Sequence, residues 1–96
     1  MTPIEQALNK HKKEIKKANG LLNLAIRNKD DVKIDEAFGL AEDNLMAAVK
    51  LYCSFIESDT GDIWFFMNIL ELKRDIDKGY DEVQQRVHDY HIAPYL

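Results

Sequence analysis

The fold is decided by residues 31–62, which read DVKIDEAFGLAEDNLMAAVKLYCSFIESDTGD. Apolar side chains recur there every three or four residues, which is the period of an α-helix. One row consists of Ile34, Phe38, Ala41, Leu45, Ala48 and Tyr52. A second row beside it consists of Ala37, Leu40, Ala47, Leu51 and Phe55. The segment is apolar over more than half of its circumference, so we expect a helix over 31–57 that lies at the centre of the fold.

A loop and a third helix follow this segment. The run Ser58-Asp59-Thr60-Gly61-Asp62 is rich in capping and turn residues and predicts the loop. Apolar positions then keep the helical spacing over residues 62–92. They are Ile69, Leu72, Ile76, Tyr80, Val83, Val87 and Tyr90. Pro94 prevents this helix from continuing far beyond Ile92.

The first helix is predicted over residues 3–28. Thr2-Pro3-Ile4-Glu5 is a capping box with proline at the first helical position, which satisfies amides that the helix itself leaves without partners. The apolar row that follows consists of Ile4, Leu8, His11, Ile15, Ala18, Leu22 and Ala25. Within this row, His11 is expected to be hydrogen-bonded and partly buried.

The sequence therefore predicts an all-α protein, an antiparallel three-helix bundle that forms a single domain over residues 1–96. A break at Asn19-Gly20 or at Gly79 would raise the number of helices to four. Leu21 and Leu24 lie outside the apolar row of the first helix, which favours a change of direction near Gly20.

Composition predicts a cytoplasmic protein. Cys53 is the only cysteine, so no disulfide can form within the chain, and this favours a reducing compartment. Residues 1–5 lack the pattern of a secretory signal. The longest apolar runs, such as residues 63–67, are far shorter than the ~20 residues that a membrane span needs. We expect Cys53 to be packed in the interior and inert.

Charge is distributed unevenly along the chain. Residues 1–29 carry seven Lys or Arg against two Glu, whereas residues 30–96 carry six against fifteen Asp or Glu. The first helix holds a cluster of lysines, namely Lys10, Lys12, Lys13, Lys16 and Lys17. We interpret them as solvated or as facing the acidic helices, because no aromatic side chain lies among them to stack on bases. Nucleic acid is therefore not the expected partner.

The start of the third helix supplies the candidate binding site. Residues 63–70 read IWFFMNIL and are apolar on more sides than a three-helix bundle covers. The candidate partner-binding residues are Ile63, Trp64, Phe66, Met67 and Leu70. Either a bent first helix buries Trp64, or this region binds a second copy or another protein, since Trp, Phe and Met are enriched in such surfaces.

One short motif indicates a different class of function. Arg86-Val87-His88-Asp89-Tyr90-His91 contains Arg-x4-His, a spacing that resembles the catalytic motif of HEPN-domain ribonucleases, which are small helical proteins that often act as dimers. The resemblance implies that Arg86 binds phosphate and that His91 is the general acid or base of a metal-independent cleavage. The residue after the arginine is commonly polar in that family and is Val87 here.

Other chemistry is not expected from the residue pattern. His88 and His91 lie three apart but have no third ligand at a fixed spacing, so we predict no metal site. No glycine-rich phosphate loop occurs, and we predict no cofactor. The preferred hypothesis is a non-enzymatic protein that acts by protein–protein binding, as a regulator, inhibitor or adaptor that also forms a homodimer. The alternative is the ribonuclease.

Overall fold

The computed structural model describes residues 2–58 and 62–95, and those residues form three helices. They are α1 (Pro3–Arg27), α2 (Asp31–Ser58) and α3 (Ile63–Ile92), followed by a 3₁₀ turn (Ala93–Tyr95). The described residues contain no strand. The predicted all-α three-helix bundle is confirmed, and each helix boundary lies within one residue of its predicted position. Most of the predicted loop, residues 59–61, lies outside the described residues.

Local chemistry fixes where the helices begin. The Thr2 hydroxyl accepts a hydrogen bond from the Glu5 amide at 3.3 Å, and the Glu5 carboxylate accepts one from the Thr2 amide at 3.1 Å. The Thr2 amide and the Thr2 hydroxyl both donate to the Glu5 carboxylate, and these two bonds hold the pKa of Glu5 below its usual value. At the start of α3, the Asp62 carboxylate accepts bonds from the amides of Trp64 and Phe65 at 3.0 and 3.2 Å. Both starts therefore follow from residues close in sequence.

The end of α1 is a Schellman turn. Lys29 has a φ of 52°, in the left-handed region. The Asp30 amide donates to the Ala25 carbonyl at 2.9 Å, and the Lys29 amide donates to the Ile26 carbonyl at 3.1 Å. These bonds occupy the last carbonyls of α1 and reverse the chain direction in a few residues, so that α2 returns along α1.

Contacts between helices show their directions. Three α1–α3 side-chain pairs, Lys12–Asp75, Asn19–Glu82 and Asn23–Arg86, each join residues that are 63 apart. A constant offset means that α1 and α3 run parallel. The α2–α3 contacts descend α2 as they ascend α3, from Phe55–Phe65 through Phe38–Tyr80 to Asp31–Tyr90. The order is therefore up, down and up, as in an antiparallel bundle.

The core is a column of two clusters along the bundle. One cluster is made of Ala18, Leu22, Ala25, Ile34, Ala37, Ala41 and Val83. The other is made of Leu8, Ile15, Ala48, Phe55, Ile69 and Ile76. Both α1 and α3 are continuous through Gly20 and Gly79, so the four-helix alternative is not realised in the described residues. The change of direction expected near Gly20 is wrong, and Leu21 and Leu24 are exposed instead.

The bundle is long and narrow. Its principal extents are 51 × 22 × 17 Å and its radius of gyration is 15.4 Å. A compact domain of this length has a radius of gyration of about 12.5 Å. Three helices of 25 to 30 residues lying side by side therefore expose long lateral faces.

Candidate interaction surface

The candidate residues at the start of α3 divide into an exposed and a half-buried group. Trp64 is 80% exposed, Ile63 69% and Met67 48%. Phe66 and Leu70 are half-buried. The first three are accessible to a partner as they stand, whereas the last two also belong to the packing of the bundle.

Trp64 is exposed because of the register between α1 and α3. The constant offset of 63 places Pro3, the first residue of α1, level with residue 66, so Trp64 lies beyond the start of α1. No turn of α1 lies beside the indole to cover it. The α1 helix is also unbroken, so the alternative in which a bent first helix buries Trp64 is wrong.

Phe66 places one side of α3 against α2. Its ring stacks on that of Phe55 with centroids 6.1 Å apart, and the Phe65 ring meets Phe55 edge-on at 5.3 Å. Ile63 and Leu70 lie three residues before and four after Phe66, so they share its side of the helix. Met67 lies one step further around, between that side and Trp64.

A third apolar row on α2, beside the two predicted from the sequence, is exposed and was not predicted. Met46, Val49 and Ile56 are exposed, and so is Cys53 with its free thiol. Tyr52 marks the side of α2 that meets α3, because Lys73 lies 5.7 Å from its ring centroid. Val49 and Ile56 lie three before and four after Tyr52 and therefore flank α3.

These two rows form what we term the α2–α3 apolar face. It consists of Met46, Val49, Cys53 and Ile56 on α2 and Ile63, Met67 and Leu70 on α3. Trp64 borders it at Met67. The pairing of Phe55 with Phe66 puts the two rows at the same end of the bundle, on either side of the line where α2 meets α3.

The expectation that Cys53 is packed inside is wrong, and α2 is no more central than the other two helices. Each helix contacts the other two, so α2 is covered only on the arc that faces α1 and α3. The third apolar row on α2 is left outside. Its 3-4-3 spacing, from Met46 to Ile56, was a signal available in the sequence.

The α1 lysines differ in their surroundings. Lys12 pairs with Asp75 of α3 at 3.0 Å, with both side chains about 40% exposed (43% and 44%). Lys10, Lys13, Lys16 and Lys17 are exposed. Only one of the five lysines therefore makes an ion pair with an acidic helix among the described residues, and the others lie on solvated surface.

Arg86 and His91 are not brought together. The Arg86 guanidinium donates from Nη1 to the Asn19 carbonyl at 3.3 Å and to the Asn19 side chain, and from Nη2 to the Asn23 side chain. His91 is exposed and lies edge-on to Tyr90 at 5.5 Å. Five residues correspond to about 140° around a helix, so the two side chains leave α3 in different directions. Arg86 serves as a link between α1 and α3.

His11 is half-buried and bonds to α2. Its Nδ1 lies 2.7 Å from the Asn44 carbonyl oxygen Oδ1, and the Asn44 amide nitrogen donates to the Leu40 carbonyl at 2.8 Å. Because the second bond fixes the amide orientation, Nδ1 of His11 carries the proton and donates. His11 is hydrogen-bonded and half-buried, as expected, and its bond to Asn44 joins α1 to α2.

The described residues form neither a metal-ligand cluster nor a membrane-spanning helix. No three His, Cys, Asp or Glu side chains lie close enough together to hold a metal ion. None of the three helices combines the length and the apolar character that crossing a membrane requires.

No protein family, no curated protein and no solved structure matches this chain. The candidate surface therefore rests on its own geometry.

Proposed function

We propose that this protein acts by protein–protein binding, without catalysis, and that the α2–α3 apolar face carries the contact. Its primary partner is a second copy of the same chain, in a homodimer. The supporting observation is the side-by-side exposure of two apolar rows on adjacent helices, with Trp64 at their border. Such contiguous apolar surface is uncommon on a monomer and typical of a binding site.

The exposed area fits this proposal. The protomer exposes 6644 Å². A compact monomer of its mass exposes about 5,700 Å², so the excess is about 1,000 Å². A standard protein interface buries about 800 Å² on each partner. The elongated bundle thus has enough surplus surface for one interface on each copy.

The composition of the face also suits a contact between copies. Met and Trp are enriched at the centres of interfaces, and flexible Met side chains adapt to the opposing surface. The acidic part of α2 and α3 lies further along the bundle and would tune the rate of encounter more than the affinity.

The test is molar mass in solution by multi-angle light scattering over a range of protein concentrations. The native chain is expected to approach twice its 11.1 kDa mass as concentration rises. Met67→Asp should raise the dimer dissociation constant at least about thirtyfold, because it buries an unpaired carboxylate in the contact. Trp64→Asp should act in the same direction.

Leu24→Asp is the matched control. Leu24 is 52% exposed, close to Met67 at 48%, but it lies on α1 away from the α2–α3 apolar face. This change should leave the mass unaltered, and circular dichroism should show the same helix content for all variants. A native chain that stays at monomer mass at every concentration would contradict self-association.

A further inference from the structure

The outer surface of α2 carries a row of side chains whose charges could pair with those of the same row on a second copy. Met46, Lys50, Cys53 and Glu57 follow one another at spacings of four, three and four and lie along one line of the helix. All four are exposed. Lys50 and Glu57 carry opposite charges and stand on either side of Cys53, three residues before it and four after.

The relative direction of the two α2 helices decides which residues of this row would face each other in a dimer. If the two α2 helices ran parallel, Lys50 would lie level with Lys50 of the second copy, and Glu57 with Glu57. If they run antiparallel and cross at Cys53, each Lys50 lies level with the other copy's Glu57. Neither Lys50 nor Glu57 makes an ion pair within the described part of the protomer. Only the antiparallel arrangement gives both side chains a partner of opposite charge.

The apolar residues locate the same crossing point. The α2 row of the face is centred between Val49 and Cys53, and the α3 row is centred at Met67. The pairing of Phe55 with Phe66 puts Met67 level with residues 53–55 of α2. A two-fold axis that brings the face onto itself therefore passes close to Cys53, the same position that the charged pair selects.

The acidic residues of α2 and α3 give a second reason against a parallel arrangement of the two copies. Residues 31–43 of α2 carry five acidic side chains against one lysine, and residues 75–89 of α3 carry five against one lysine and one arginine. A parallel dimer would lay these acidic ends against each other. An antiparallel crossing at Cys53 points them in opposite directions, beyond the contact.

We propose that the homodimer is isologous and antiparallel, with α2 of one copy crossing α2 of the other at Cys53 and with two symmetric Lys50–Glu57 ion pairs between the copies. This proposal rests on the self-association proposed above and specifies its geometry. In an isologous interface a residue on the axis contacts its own counterpart. The single cysteine thereby becomes a native probe of the crossing point.

The first experiment cross-links the native protein with a short bismaleimide, which joins two thiols. Cys53 is expected to give a covalent dimer on a denaturing gel, at concentrations where light scattering shows the dimer. The control moves the thiol by one residue, as Cys53→Ser with Ser54→Cys, about 100° around the helix. It should dimerise in solution but cross-link at least about tenfold more slowly. Equal rates for the two would overturn the crossing at Cys53.

The second experiment exchanges the charges. Lys50→Glu and Glu57→Lys each place like charges opposite one another twice and should raise the dimer dissociation constant about tenfold. The double variant Lys50→Glu with Glu57→Lys restores both attractions and should return to the native value. Failure of the double variant to recover would overturn the antiparallel register.

Outcomes for the two proposals are distinguishable. A native chain that is monomeric at all concentrations rejects self-association, and the geometry with it. A chain that dimerises, loses the dimer with Met67→Asp, and shows neither preferential Cys53 cross-linking nor charge rescue keeps the α2–α3 apolar face as the contact and rejects this arrangement alone.

Discussion

Gly79 of α3 lies directly against Ile15 of α1. A Cβ atom built on Gly79 would stand 3.1 Å from Cγ2 of Ile15, which is itself buried. The absence of a side chain at Gly79 is therefore what allows the two parallel helices to approach closely here. Gly20 and Gly39 lie inside helices as well, but a Cβ at either would meet nothing within 4 Å.

These three glycines should respond differently to alanine. Gly20→Ala and Gly39→Ala are expected to raise the free energy of unfolding by about 1 kcal/mol each, the difference in helix propensity. Gly79→Ala should give no gain, because displacement of Ile15 in a packed core offsets the propensity. Urea unfolding followed by circular dichroism measures all three. Equal stabilisation at Gly79 and Gly20 would show that α1 and α3 are not closely packed at Ile15.

Arg86 is expected to matter for stability. Arg86→Ala removes the charged hydrogen bonds to Asn19 and Asn23 and should lower the free energy of unfolding by about 2 kcal/mol. Arg86→Lys should recover little of this loss, since a single ammonium group cannot replace a planar guanidinium that donates to two residues from two nitrogens.

His91→Ala is the companion test, because His91 is exposed. It should change the free energy of unfolding by less than about 0.5 kcal/mol. Neither the native chain nor this variant is expected to cleave RNA. RNA cleavage by the native chain that His91→Ala abolishes would instead support the ribonuclease alternative.

The His11–Asn44 hydrogen bond can be measured with a double-mutant cycle. Asn44→Leu leaves the proton on Nδ1 of His11 without its acceptor and should cost about 1–2 kcal/mol. The double variant His11→Leu with Asn44→Leu removes both polar groups and should cost less than the sum of the single changes. Additive losses would mean that the two side chains do not interact.

Tyr90 should make stability depend on pH in alkaline solution. Its hydroxyl donates to the Asp31 carboxylate at 2.8 Å, and this bond raises the pKa of Tyr90 above its usual value of about 10. A raised pKa in the folded state gives stability that is complete below the unfolded value and is lost as pH rises through the folded one.

Tyr90→Phe removes that titrating group. The variant should therefore lose less stability than the native chain between pH 9 and about 11. Tyr80, whose pKa is raised by burial, is present in both proteins and contributes equally. Thermal unfolding across this range is the measurement, and parallel pH profiles would refute the role of the Tyr90–Asp31 bond.

The helix boundaries could be predicted because the interactions that set them are local. Thr2 and Glu5 lie three residues apart, and the Asp62 carboxylate caps the amides of Trp64 and Phe65, two and three residues further along. The apolar row that each helix turns toward the core likewise depends only on the helical period. None of these features requires knowledge of which helices pack together.

Exposure at the candidate surface could not be predicted in the same way. Trp64 is exposed because α3 extends to a level that α1 does not reach, and that offset is set by packing between residues 63 apart. Cys53 lies on the third apolar row of α2, and composition alone does not tell which row remains uncovered. Both results depend on the register between helices, which the sequence pattern leaves open.

The parallel pairing of α1 with α3 has a consequence for folding kinetics. Helices adjacent in sequence meet by closing a short segment, whereas the α1–α3 hydrogen bonds join residues 63 or 67 apart and cost more chain entropy. We therefore expect the contacts between α1 and α3, which we term the α1–α3 seam, to form after the rate-limiting transition state of folding. Substitutions within it, such as Arg86→Ala, should speed unfolding and leave the folding rate nearly unchanged, so the seam sets the lifetime of the native protein.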